Sequence, residues 1–185
     1  MGLYIIIGLI ILLSIGIIVI FNQLVGLRQM SENGWSDIEV QLKRRADLIP
    51  RLVSTVKGYA SHERKLFEDV TKMRAQTLAA GNDPIARGKA EGAIAKAGGK
   101  LLAIAEDYPE LKASANFLEL QDELSETEDK IEMARRFYNG TVRELNTKIQ
   151  SVPSNLIAGP FGFKAKDYFE IDDADAAVPD VEFNT

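Results

Sequence analysis

A chain of 185 residues with 46% hydrophobic and 26% charged content is the size of one ordinary domain and can bury a core. It contains no cysteine, which excludes disulfides, thiolate metal sites and thiol nucleophiles. The net charge of −5 arises from seven acids after Lys166 with no base among them. Residues 1–166 keep 22 bases against 20 acids, too even a balance for the broad basic face that nucleic-acid binding needs.

The apolar residues are concentrated at the N-terminus. From Leu3 to Phe21 there is no charge, and only Gly8, Ser14 and Gly16 depart from large apolar side chains. Nineteen helical residues span roughly 29 Å, close to the ~30 Å hydrocarbon core of a bilayer. A cleaved signal peptide would need a positive leading segment and a small-residue cleavage site, and neither is present, so an uncleaved transmembrane anchor over residues 1–21 is expected. Gly8 and Gly16 are the small contact points through which two such anchors could pack.

No proline intervenes before Pro50, so the anchor helix is expected to run straight on into the following domain. Trp35, Ile38, Leu42, Ile49, Leu52, Val56 and Tyr59 form an apolar seam at three and four spacing, interrupted only by Arg45. The seam keeps its phase beyond Pro50, which should bend this helix, 22–58, without ending it. A second helix, 62–79, is expected to start from Ser61 as N-cap and to present Leu66, Val70, Met73 and Thr77 on one face. Its periodicity is in phase with the first, so one helix from 22 to 80 is the alternative.

A third helix, 85–107, carries Ile94, Ala97, Leu101, Ile104 and Tyr108 and should stop at Pro109. Its Gly88 and Gly92 form a small-xxx-small pair that indicates tight packing more readily than dimerisation. The fourth helix, 115–151, has a coiled-coil-like rhythm through Phe117, Leu120, Leu124, Thr127, Ile131, Ala134, Tyr138, Thr141 and Leu145, and Pro153 should end it. No stretch alternates as a strand does. The expected fold is all-α, an N-terminal transmembrane helix continuing into an antiparallel up-down-up-down four-helix bundle over 22–163. An acidic, mobile tail over 164–185 follows.

Helices of roughly 55, 27, 35 and 55 Å in alternating directions return the chain to within roughly 8 Å of its starting level. Phe161, Phe163, Lys164 and Lys166 would then lie at the bilayer, where rings sit among headgroups and ammonium groups meet phosphates. The alternative is that both rings close the open end of the bundle core.

Catalytic motifs fail one by one. His62 is the only histidine, and His62-Glu63-Arg64-Lys65-Leu66 lacks the second histidine of a zinc hydrolase. There is no G-x-S-x-G elbow and no phosphate-binding loop, since Asp83 and Ile94 occupy the positions where glycine would have to stand. The acids of the fourth helix have no Glu-x-x-His partner for a di-metal site and read as a solvated face. No enzyme activity and no cofactor are expected. Arg45, at a core-facing position, requires a buried carboxylate, for which Glu128 or Asp129 is the candidate.

Several blocks carry a family likeness: Gln41-Leu42-Lys43-Arg44-Arg45-Ala46-Asp47-Leu48-Ile49-Pro50, Val56-Lys57-Gly58-Tyr59-Ala60-Ser61-His62-Glu63, Tyr108-Pro109-Glu110-Leu111-Lys112-Ala113, Ala134-Arg135-Arg136-Phe137-Tyr138-Asn139 and Pro153-Ser154-Asn155-Leu156-Ile157-Ala158. In this order they resemble the LemA family of bacterial membrane proteins, with a departure at Pro160. The resemblance implies one N-terminal transmembrane helix, a four-helix bundle and no enzymatic activity.

The expected function is that of a self-associating scaffold or membrane organiser in the bacterial inner membrane. Its partners would be the lipid bilayer, further copies of itself and other membrane proteins. An adaptor for a membrane enzyme such as a protease is the alternative. Arg28 and Lys43-Arg44-Arg45 follow the anchor while no charged side chain precedes it, which places the bundle in the cytoplasm.

Overall fold

The computed structural model describes residues 1–171, and among these the regular structure is helical, with no strand. Helix α1 (Gly2–Tyr59) is followed by α2 (Arg64–Ala79), α3 (Pro84–Ile104), a 3-10 turn (Ala105–Asp107), α4 (Pro109–Lys112), α5 (Ala115–Gln150) and α6 (Asn155–Ala158). At 58 residues, α1 is about 87 Å long and continues through Pro50, as its unbroken apolar seam requires.

Two helices stand where one from 22 to 80 was the alternative. The Ala60 N–H bonds to the Val56 carbonyl at 2.8 Å, the Glu63 N–H bonds to the Ala60 carbonyl at 3.1 Å, and the Ala60 side chain is buried. These backbone bonds close the turn without the Ser61 hydroxyl. The expected cap is therefore displaced to Glu63, which makes no side-chain capping bond. The start of α3 follows helix-cap chemistry: the Asp83 carboxylate accepts from the Ala86 N–H at 3.1 Å, and Pro84 occupies the first turn, where its missing N–H costs nothing. For the same reason Pro109 opens α4, besides following the third helix as expected.

The described residues divide into two compact units, Met1–Arg44 with Glu126–Tyr168, and Arg45–Ser125 with the segment from Phe169 onward. In the first unit, α1 and α5 run in opposite directions: Leu24 shares a core cluster with Leu145, Trp35 lies against Tyr138 at 5.5 Å between ring centroids, and Arg44 pairs with Glu126 at 3.5 Å. In the second unit one cluster takes Ile49, Leu52 and Val56 from α1, Phe67 and Val70 from α2, Ile94, Ala97 and Leu101 from α3, Leu111 from α4 and Phe117, Leu120 and Leu124 from α5. Fully burying each such side chain stabilises by about 1.5–3 kcal/mol, so these seams supply most of the driving force.

The expected faces are buried with few exceptions. Tyr59, 43% exposed, leaves the first seam because α1 ends there and Ala60 takes the interior place. Gly88 lies against the last described segment, where an added Cβ would stand 1.9 Å from the Glu170 carbonyl oxygen. The pair Gly88 and Gly92 is buried in α3, and at Gly88 the tight packing is with this chain's own backbone. Residues 164–171, the first part of the tail expected from 164, are held by the packed chain. Asn146 holds the Lys166 backbone through two bonds of 2.8 and 2.9 Å, and Phe169 is fully buried. Residues 172–185, with most of the tail's acids, lie outside the described residues.

Candidate functional site

Three features carry charge or apolar surface beyond what packing needs. The first is the start of α1, where every residue from Leu3 to Val19 is exposed. It is the one span among the described residues long and apolar enough to cross a membrane. Neither Gly8 nor Gly16 has a neighbouring atom within 4 Å, so both small faces are open.

The second feature lies where that exposed run meets the packed part of the first unit. Phe21 is flanked by the Phe161 ring at 5.1 Å and the Phe163 ring at 5.7 Å, both edge to face. Gly162 makes this possible: its φ of +73° reverses the chain, with the Phe163 N–H bonded to the Ala158 carbonyl at 2.9 Å. The two phenylalanines consequently differ. Phe163 is buried with Leu24, Leu145 and Ala158, and the Arg28 guanidinium stands 5.2 Å over its ring, whereas Phe161 remains 56% exposed. Phe163 is thus a core residue and not the membrane-contact residue expected from the sequence. Lys164 is exposed. Lys166 is drawn inward, its ammonium 3.5 Å from the Glu32 carboxylate. Beside it, the buried Tyr138 hydroxyl donates to the Asp167 carbonyl at 2.9 Å. Burial, assisted by the negative charge of Asp167, pushes the Tyr138 phenol up to about 12.

The third feature is buried in the second unit. Arg45 is 1% exposed and pairs with the Glu91 carboxylate, and its guanidinium also donates to the Glu91 backbone carbonyl at 3.2 Å. Arg87, one turn before Glu91 on α3, holds the other carboxylate oxygen at 2.9 Å. A buried carboxylate was expected for Arg45, but Glu91 was not the residue named. The candidates Glu128 and Asp129 belong to the first unit, where Glu128 is half-buried and Asp129 is exposed, so Asp129 is not a buried carboxylate. Glu91 stands between Ala90 and Gly92, and a lone acid among small residues gives no periodic signal of burial.

Among the described residues, no three His, Asp or Glu side chains come together as metal ligands could. His62 is exposed in the turn before α2, and Glu119, Asp122, Glu126 and Glu132 are exposed on α5.

Comparison with known proteins adds a family and several relatives. Residues 34–183 match the model described as the LemA family. The magnetosome protein MamQ 1 of Paramagnetospirillum magneticum is 26% identical over 81% of this chain and 64% of its own length. MamQ of Magnetospirillum gryphiswaldense is 26% identical over 80% of the chain and 64% of its own length. Protein LemA of Metamycoplasma hominis is 28% identical over 74% of the chain and 63% of its own length. The chain therefore spans just under two thirds of the length of these relatives.

Proposed function

This chain belongs to the LemA family, and we propose that it is a non-enzymatic scaffold held at a bacterial inner membrane by residues 3–21 and built to self-associate. The observation that carries this reading is the continuity of α1. Its first part is wholly exposed and apolar, while the same helix supplies Leu24, Ile38, Leu42, Ile49, Leu52 and Val56 to the interiors of both units. Exposed isoleucines and leucines over some 19 residues are costly in water and favourable in hydrocarbon. A helix without a break passes position and orientation from the bilayer to the packed part of the first unit. In this reading α1, α2, α3 and α5 form an antiparallel four-helix bundle, with Phe161 and Lys164 at the lipid surface and Gly8 and Gly16 as contact points between anchors.

Two of the relatives are named as magnetosome proteins, and a part in a larger assembly is in keeping with those names. The mass of the full-length particle extracted in mild detergent tests the proposal. A homomeric assembly of several copies is expected. A monomer, alone or in company with one other membrane protein, overturns self-association, and the latter outcome supports an adaptor instead.

In this reading the two units lie in the cytoplasm, in keeping with Arg28 just after the apolar run and Lys43-Arg44-Arg45 further along. Protease added to intact spheroplasts should leave them uncut, whereas cleavage would reverse the orientation.

A further inference from the structure

The end of α5 carries a feature that the anchor reading does not use. A cavity of about 540 Å³ opens in the first unit between Ile20 and Leu27 of α1 and Arg143 and Lys148 of α5, with Val152 and the acid Glu144 also in its lining. Ile20 follows directly on the exposed apolar run, and Leu27 lies about 10 Å further along the helix, comparable with the roughly 5–8 Å depth of a headgroup layer. Three large apolar side chains stand out into solvent on the connection beside it: Val152 at 78%, Leu156 at 71% and Phe161 at 56% exposure. In this part of the first unit, residues 20–32 and 143–167, there are five bases against three acids. Basic side chains beside protruding apolar ones, at the level where a membrane-crossing segment ends, match a phosphate above and acyl chains below.

We propose that this surface docks an anionic phospholipid of the surrounding bilayer. The lipid phosphate sits in the cavity against Arg143 and Lys148, and Val152, Leu156 and Phe161 are sunk among the acyl chains. The assignment rests on the reading that residues 3–21 cross the membrane. It fixes the rotation of the first unit against the lipid surface through a second, lipid-mediated attachment on α5 and the segment after it.

The full-length chain contains no cysteine, so single nitroxide labels can be placed without background. The chain is reconstituted in nanodiscs of phosphatidylcholine with and without phosphatidylglycerol, labelled at Ile10→Cys or Val152→Cys. A label at position 10 that is accessible to oxygen and shielded from a water-soluble nickel chelate establishes the spanning helix. The same pattern at position 152 is expected, and a chelate-accessible Val152→Cys label beside a shielded Ile10→Cys label overturns the docking surface alone. A chelate-accessible label at both positions overturns the anchor as well.

Retained phosphatidylglycerol, counted by native mass spectrometry, reads the basic pair. Loss of two basic side chains worth roughly fivefold each should lower retention about twenty-fivefold in Arg143→Gln/Lys148→Gln. Glu144→Gln should raise it. Equal retention in the double variant would show that the cavity does not recognise a lipid headgroup, and displacement of the lipid by excess inorganic phosphate would show a general phosphate site in place of one that selects the lipid.

Discussion

At the level of single residues, Arg45 shows how a polar group can be kept inside an apolar seam. Its guanidinium meets a Glu91 carboxylate that is itself fully buried and is also held by Arg87. Removing one partner of such a pair strands the other's charge, so Arg45→Ala should cost roughly 3–5 kcal/mol, toward the lower value because Arg87 remains. Arg45→Met, which keeps the volume, should cost less, and denaturant unfolding of the chain in detergent measures both. Tyr138 gives a pH dependence of defined sign. Its phenol is raised to about 12 in the folded state, against 10.0 when free, so the folded chain holds a proton that the unfolded chain releases. This contribution is complete below pH 10, and it is lost as pH rises through 12. Tyr138→Phe should therefore flatten stability in that alkaline window while removing a hydrogen bond worth about 1 kcal/mol. The need for a buried acid opposite Arg45 was legible in the sequence, because a charge at a seam position demands it. The identity of Glu91 was not, since it depends on which helix lies opposite. The different fates of Phe161 and Phe163 turn on the reversal at Gly162, which two aromatics around a glycine do not reveal.

The long helices were readable because their periods are sustained: in α5, Phe117, Leu120, Leu124, Thr127, Ile131, Tyr138, Thr141 and Leu145 are all buried as their spacing requires. Four-residue helices such as α4 and α6 are too short to show a period, and each lies in a segment whose proline reads as a stop. The turn at 60–63 was visible as a weakening of helix signals, although backbone bonds took the role expected of Ser61. Gly88 tests how α3 holds the last described segment. A methyl group there would collide with the Glu170 backbone, so Gly88→Ala should displace that segment, expose Phe169 and speed amide exchange around it. Gly99, exposed in the same helix, is the matched control, since a Cβ added there would meet no atom within 4 Å. At that position the same change should stabilise by about 0.4–1 kcal/mol through helix propensity and reduced freedom of the unfolded chain.

For the molecule as a whole, α1 and α5 each contribute to both compact units, and among the described residues it is α1 that carries the exposed apolar run. The account therefore depends on one element more than on any site. If residues 3–21 cross a bilayer and continue without a hinge into the packed part of α1, the position of the first unit relative to the membrane is set by helix geometry. That is the property a scaffold needs and an enzyme need not have. Hydrogen exchange of the full-length chain in lipid nanodiscs, followed along residues 3–30, tests this most directly. Slow exchange over 3–21 that continues unbroken past Phe21-Asn22 into Leu24 and Leu27 is the predicted result. Rapid exchange within 3–21, or a fast-exchanging gap between Asn22 and Gln29, would contradict a rigid membrane-spanning anchor.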